Sequence, residues 1–201
     1  LGRNTENSKY LIKYAERIKL MGLFDFFKKK EEKEIKDLNI KNLSKGCIVD
    51  YEMKSWIVKD VTEYDWGNNM FTFEYILTDE INTLFLHVND DATLKLDISS
   101  PIGLLKLDRN LKSSIVEKDT PIKEITYEGE EYILTDEFLG HCKSTDDGDE
   151  DWSKFINWVY HTKNEDKYIS VNRWGETDID AATGKYVKEF MFSNLLSSPN
   201  N

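Results

Sequence analysis

The chain has 201 residues, a net charge of −11 and 39% hydrophobic content, including 10 Phe, 10 Tyr and 5 Trp. That much bulky apolar material excludes a disordered chain and suffices for a packed core. The negative field repels a phosphate backbone and argues against nucleic acid as a partner, since basic residues cluster chiefly at Lys28, Lys29 and Lys30.

No apolar stretch approaches the ~20 residues that a membrane-spanning helix requires. Cys47 and Cys142 are the two cysteines. With no secretory signal visible, they read as free thiols in a reducing, cytoplasmic setting.

Tyr10, Leu11, Tyr14, Ile18 and Leu20 have helix-compatible spacing, and a Lys/Glu-rich run follows over 28–42. Residues 1–42 are therefore expected to be a helical extension and charged linker, with Met21 as a candidate natural start. Leu23, Phe24, Phe26 and Phe27 followed by Lys28, Lys29 and Lys30 form a short hook. Its chemistry suits weak contact with an anionic membrane surface or with a partner.

From Leu43 the pattern changes to short alternating strands at 47–51, 56–61, 70–77, 84–88 and 93–98. Polar turn residues such as Asp79, Asn82, Asn89 and Asp90 separate some of them. Connections this short permit antiparallel pairing only, so 43–98 is predicted to be a meander. Residues 99–121, broken by Pro101 and Gly103 and closed by Pro121, form a connector. A second series follows at 123–127, 132–134, 155–160, 167–171 and 177–180, then 185–192 after a turn expected at Ala182-Thr183-Gly184. That half spans 122–192, and 193–201 is expected to be a disordered tail.

The halves share vocabulary. Tyr75-Ile76-Leu77 aligns with Trp158-Val159-Tyr160, and without a gap Phe85-Leu86 meets Tyr168-Ile169, Val88-Asn89 meets Val171-Asn172 and Leu96-Asp97 meets Ile179-Asp180. Tyr51-Glu52 and Trp56-Ile57-Val58 align with Tyr127-Glu128 and Tyr132-Ile133-Leu134. The expected fold is mainly β, with two related antiparallel meander or barrel-like halves and a short N-terminal helical segment. Internal duplication would explain the likeness, although any two meanders share strand lengths and turn chemistry.

Candidate site residues are scattered. Trp66 and Trp174 each precede a glycine at turn-like positions, where an aromatic ring can serve a binding surface. Asp178 and Asp180 alternate on a predicted strand, and with His161 they could assemble an acid–base pocket. The solvated face of a strand, with Ile179 turned inward, explains the aspartates equally well. His141 and Cys142 are adjacent in sequence and so face opposite ways on a strand, which argues against a thiol nucleophile activated by that histidine. The acidic run from Asp146 to Asp151 lacks the alternation of a calcium loop. No zinc spacing, phosphate loop or nucleophile elbow is present, so no metal or cofactor is expected.

A set of short blocks runs in order along the chain: Gly46 and the strand after it, Trp56-Ile57-Val58, Phe73-Glu74-Tyr75-Ile76-Leu77 and Leu84-Phe85-Leu86-His87-Val88. Ile125 to Tyr132, Ile169-Ser170-Val171-Asn172-Arg173-Trp174 and Gly184-Lys185-Tyr186-Val187 complete the set. Together these blocks, over about 43–192, resemble a bacterial family known as the domain of unknown function DUF4178. The family pattern favours glutamate where this chain has Asn172. The resemblance implies a β-rich accessory protein and no established activity. Arg173, beside Trp174, is a further candidate binding residue.

Three readings follow. The first is a non-enzymatic binding or scaffold module whose partner is another protein, using Trp66, Trp174, Arg173, Asp178, Asp180 and His161. The second is a hydrolase or metal-dependent enzyme built on the scattered carboxylates. The third is a peripheral membrane protein using the 23–30 hook.

Overall fold

The computed structural model describes residues 38–145 and 151–198. The helical extension, the 23–30 hook, Met21 and most of the acidic loop lie outside them. The elements are β1 (Ile48–Tyr51), β2 (Lys54–Asp65), β3 (Phe71–Thr78), β4 (Thr83–Asn89), β5 (Lys95–Ile102), α1 (Leu104–Leu107) and α2 (Leu111–Lys118). Then come β6 (Glu124–Tyr127), β7 (Glu130–Ser144), β8 (Ser153–His161), β9 (Lys167–Arg173), β10 (Ile179–Val187) and β11 (Phe192–Leu196).

The protein is mainly β. One 11-stranded sheet runs β11-β1-β2-β3-β4-β5-β10-β9-β8-β7-β6, and β2 also pairs with β7. That last pairing joins β2, β3, β4, β5, β10, β9, β8 and β7 into a ring whose neighbours are all antiparallel.

The first meander, β1–β5, and the second, β6–β10, have matching ladders. Val49 opposes Trp56 as Ile125 opposes Tyr132, and Val58 opposes Leu77 as Leu134 opposes Tyr160. Each long strand then carries a register shift at the same place, between Val58 and Asp60 in β2 and between Leu134 and Asp136 in β7. The turns into these strands also match: Glu52 and Met53, like Glu128 and Gly129, have positive φ at both central positions. That conformation suits the right-handed twist of a two-residue hairpin. The gapless alignment slips by two residues between β4 and β9, because Leu86 opposes Tyr75 where Val171, not Ile169, opposes Trp158.

Alternation along the strands puts two apolar cores on the outer face of the ring. Val58, Val61, Tyr75, Leu77, Leu86, Val88 and Ile98 pack under β1, β11 and the segment carrying Ile40, Leu43 and Cys47. Trp158, Tyr160, Ile169, Val171 and Ala181 pack under α1, α2 and β6, against Leu107, Leu111, Ile115 and Ile125.

Several boundaries differ from the sequence reading. β5 continues through Pro101 to Ile102, past the last β4 pair at Ser99, so the missing proline N–H lies beyond the doubly paired part of the strand. The connector then contains two helices. The expected turn at Ala182-Thr183-Gly184 is uninterrupted β10. Gly184 is there because the Tyr168 ring lies against it: a Cβ would come within 2.4 Å of that ring. Residues 193–196 belong to β11, held against β1 by Phe192 stacked on Tyr51 at 4.9 Å between centroids.

Candidate functional site

The inner face of the ring is polar and aromatic. Its defining row crosses three neighbouring strands, with Glu74 on β3 opposite His87 on β4, and His87 opposite Asp97 on β5. The second meander repeats the row as Asn157, Asn172 and Asp180. His87 Nδ1 lies 3.1 Å from Asp97 Oδ2, and Asn172 Nδ2 donates to Asp180 Oδ1 at 3.0 Å. Asn157 Nδ2 also donates to Asn172 Oδ1 at 2.8 Å.

The local alternation that carries Asp180 and its neighbours in this row is the same as that of a strand face turned to solvent. Ring formation turns that face inward, and partners on other strands then satisfy the polar atoms. Tyr64 donates to Glu74 Oε1 at 3.2 Å, and the Tyr168 hydroxyl donates to Asp97. The Trp66 indole N–H donates to Thr72 Oγ1, and His87 Nε2 lies against that same hydroxyl, both at 2.8 Å.

Burial dominates the electrostatics. It pushes the Glu74 carboxyl up to about 7, with the His87 charge pulling the other way. For His87, burial opposes the imidazolium, but the carboxylates of Asp97 and Glu74 outweigh it and raise the pKa. Burial also raises Asp180, against the lowering hydrogen bonds from Asn172 and Trp174. Cys142 is pushed up to about 11 by burial and by the nearby Glu74 and Asp180 charges. It is a free, buried thiol, not a thiolate nucleophile.

Thr72, His87 and Asp97 lie in the order of a hydroxyl–imidazole–carboxylate relay. The Thr72 residue is only 2% exposed and its hydroxyl already accepts from Trp66, so no reacting group can reach it. The arrangement orients and rigidifies the ring interior. Among the described residues no group of three or more His, Cys, Asp or Glu could hold a metal ion.

The expected site residues fall into three places. Trp66, Trp174 and Asp180 come together around Phe155, whose ring is 5.3 Å from Trp66 and stacked on Trp174 at 4.9 Å. The Trp174 indole donates to Asp180 Oδ2 at 2.6 Å. Asp180 thus faces the ring interior while Ile179 enters the outer core, and both faces of that strand are used. Asp178 precedes β10 and accepts the Trp174 backbone N–H, and Arg173 pairs with Asp119 at 2.6 Å. His161 sits elsewhere, between Thr135 at 2.7 Å and the Tyr186 hydroxyl at 2.8 Å.

Sequence reasoning missed the most exposed apolar feature of this region, Phe138 at 40% and Leu139 at 69% exposure on β7. Phe138 meets Trp66 edge-on at 5.8 Å. β7 pairs with β8 throughout this stretch. On its other side, Leu134 donates to the Lys123 carbonyl and His141 begins the pairing with β2. Between those points, β7 has no strand neighbour on that side among the described residues. The signal available in the sequence was a pair of adjacent apolar residues after two acids, Asp136 and Glu137, in a run without alternation.

The family model described as "Domain of unknown function (DUF4178)" matches residues 44–189. The chain belongs to the DUF4178 family. It is also similar to an "Uncharacterized protein" of Aquifex aeolicus (strain VF5), at 24% identity over 184 residues, covering 91% of this chain and 98% of that protein. No solved structure matches. The DUF4178 match spans both meanders, the whole ring and the exposed stretch of β7.

Proposed function

We propose that this DUF4178 chain is a non-enzymatic binding module, an accessory protein of the bacterial cytoplasm that holds another protein at the Phe138–Leu139 surface. The observation that carries the reading is the exposure of two large apolar side chains along one stretch of β7: Phe138, edge-on to the half-buried Trp66, and Leu139 next to it on the opposite face of the strand. Apolar side chains left in water on both faces of a strand edge with no strand beside it among the described residues are what a docking edge presents before its partner covers it. A hydrolase reading has less support: two candidate nucleophiles on the ring interior, the Thr72 hydroxyl and the Cys142 thiol, are both buried. No described helix is long and apolar enough to cross a membrane.

The test is a Phe138→Ser, Leu139→Lys double variant compared with the parent in affinity capture from cells of the source organism. Loss of the captured protein with an unchanged far-UV spectrum supports the reading. Retention of the same protein at the same yield contradicts it.

We also read the two meanders as products of internal duplication. Matching ladders, matching register shifts and matching hairpin turns support it. The alternative, independent convergence on a meander, does not call for the same shift at the same rung. Comparison of the two halves across many DUF4178 sequences tests this: duplication predicts half-to-half similarity centred on these rungs, and its absence contradicts it.

A further inference from the structure

The two meanders are arranged alike around the β2–β7 contact, but only one half of the contact forms. Asp65 opposite His141 is its midpoint, since these residues are each other's equivalents in the two halves. On one side, Thr62, Glu63 and Tyr64 pair with Ser144, Lys143 and Cys142, and Thr145 donates its N–H to the Val61 carbonyl at 2.8 Å. Lys143 also reaches Glu63 at 3.2 Å. On the other side, the corresponding partners for Phe138, Leu139 and Gly140 never arrive. After Asp65 the chain leaves the sheet in a turn through Trp66 and Gly67, closed by Met70 donating to the Gly67 carbonyl and by Trp66 donating to Met70. Gly67, Asn68 and Asn69 all take positive φ there.

The result, among the described residues, is an opening along one edge of β7. The equivalent opening on β2 is filled by the chain's own extended segment Cys142–Thr145. The filled half also shows which main-chain groups face outward. The Val61 carbonyl points at the segment beside it, and Val61 corresponds to Glu137. Glu137 and Leu139 therefore direct their N–H and C=O groups into the opening. No hydrogen bond to these groups from that side exists among the described residues.

We infer that the opening accepts an extended peptide, which adds as a strand antiparallel to β7. Three observations fix its chemistry. The equivalent site already holds an antiparallel extended segment. Phe138 on the inner face and Leu139 on the outer face offer apolar contacts to successive side chains. Asp136 and Glu137 are exposed at the same edge of a chain carrying −11, so basic residues suit the ends of the segment. The occupant is a short strand with an apolar centre and basic flanks. This inference rests on the binding-module reading and specifies how the partner is held.

The experiment uses the full chain and a capped peptide with a valine-phenylalanine-valine centre between lysines. Hydrogen exchange with and without peptide reads the amides of β7, and fluorescence titration reads affinity. Strand addition predicts slowed exchange at Glu137 and Leu139, and about tenfold weaker binding when N-methylation removes a peptide N–H that faces β7, with no loss at the alternate positions. Replacing lysine by glutamate in the peptide weakens binding further. If Leu139→Lys abolishes binding but every N-methylated peptide binds as well as the parent, strand addition is overturned and the docking surface stands. If the peptide leaves β7 exchange unchanged and binds the Leu139→Lys variant as well as the parent, both are overturned.

Discussion

The Trp66 indole lies edge-on to the Phe138 ring, with centroids 5.8 Å apart. This contact spans the point where β2 leaves the sheet and, among the described residues, β7 has no strand on that side. On one side the indole is anchored by its hydrogen bond to Thr72, which in turn contacts His87. The exposed apolar surface is therefore mounted on the polar interior of the ring.

Because Phe138 is partly exposed, removing it should cost little stability. Phe138→Ala is expected to lower the unfolding free energy by about 1 kcal/mol or less, whereas Trp158→Ala, at a fully buried outer-core position, should cost about 3–5 kcal/mol. Urea denaturation of the two variants checks the contrast. A large loss for Phe138→Ala would mean that the ring serves packing more than docking.

Gly184 is fixed by Tyr168. Gly184→Ala places a methyl group against the Tyr168 ring, which also reaches Asp97 through its hydroxyl. The expected loss is about 1–3 kcal/mol. In a double-mutant cycle with Tyr168→Leu the two costs should fall short of additivity, because the second change removes the clash. Additive losses would show that the glycine is required for another reason.

Stability should fall as pH rises through the neutral range. In the unfolded chain Glu74 titrates near 4.5, and in the folded ring near 7. Between those values the folded state binds more protons, so the contribution is full below about 4.5 and is lost as pH rises to about 7. His87 acts in the same direction: its pKa is raised above 6.5, so its contribution is present below that value and is lost as pH rises through the folded pKa. Glu74→Gln should remove much of the slope and stabilise the protein at pH 8, by an amount on the order of 1–3 kcal/mol. Thermal melts from pH 4.5 to 8 measure it, and an unchanged slope in the variant contradicts the assignment.

The thiols should be inert in the folded state. Cys142 is buried with its pKa pushed up to about 11, and Cys47 lies in the first outer core. Alkylation by iodoacetamide at pH 8 should be slow for both and become fast only in denaturant. Rapid labelling of Cys142 in the native protein would show that the ring opens readily.

The β class, the two meanders and most strand positions were legible because apolar and polar residues alternate along them. Gly184 and Pro101 misled the reading of boundaries, since both resemble turn punctuation and only a three-dimensional neighbour explains them within strands. β7 was mostly invisible, because a register shift and the run from Asp136 to Leu139 break its alternation. The polar row of Glu74, His87 and Asp97 was hidden for a different reason. A strand face turned into a ring and one turned to solvent have the same local pattern, and only the β2–β7 pairing distinguishes them. Trp66, Trp174 and Asp180 were singled out one by one, whereas their meeting around Phe155 depends on strands far apart in sequence.

The most direct test of the account is site-specific photocrosslinking from the β7 edge in cells. A benzoylphenylalanine at position 139 is compared with one at position 81, where Ile81 is 91% exposed but lies in the turn between β3 and β4. Protein docking at the β7 edge predicts a discrete covalent adduct with another polypeptide from position 139 and none from position 81, with the adduct suppressed by the lysine-flanked peptide. No adduct at 139, or equal adducts at both positions that the peptide does not suppress, would contradict it.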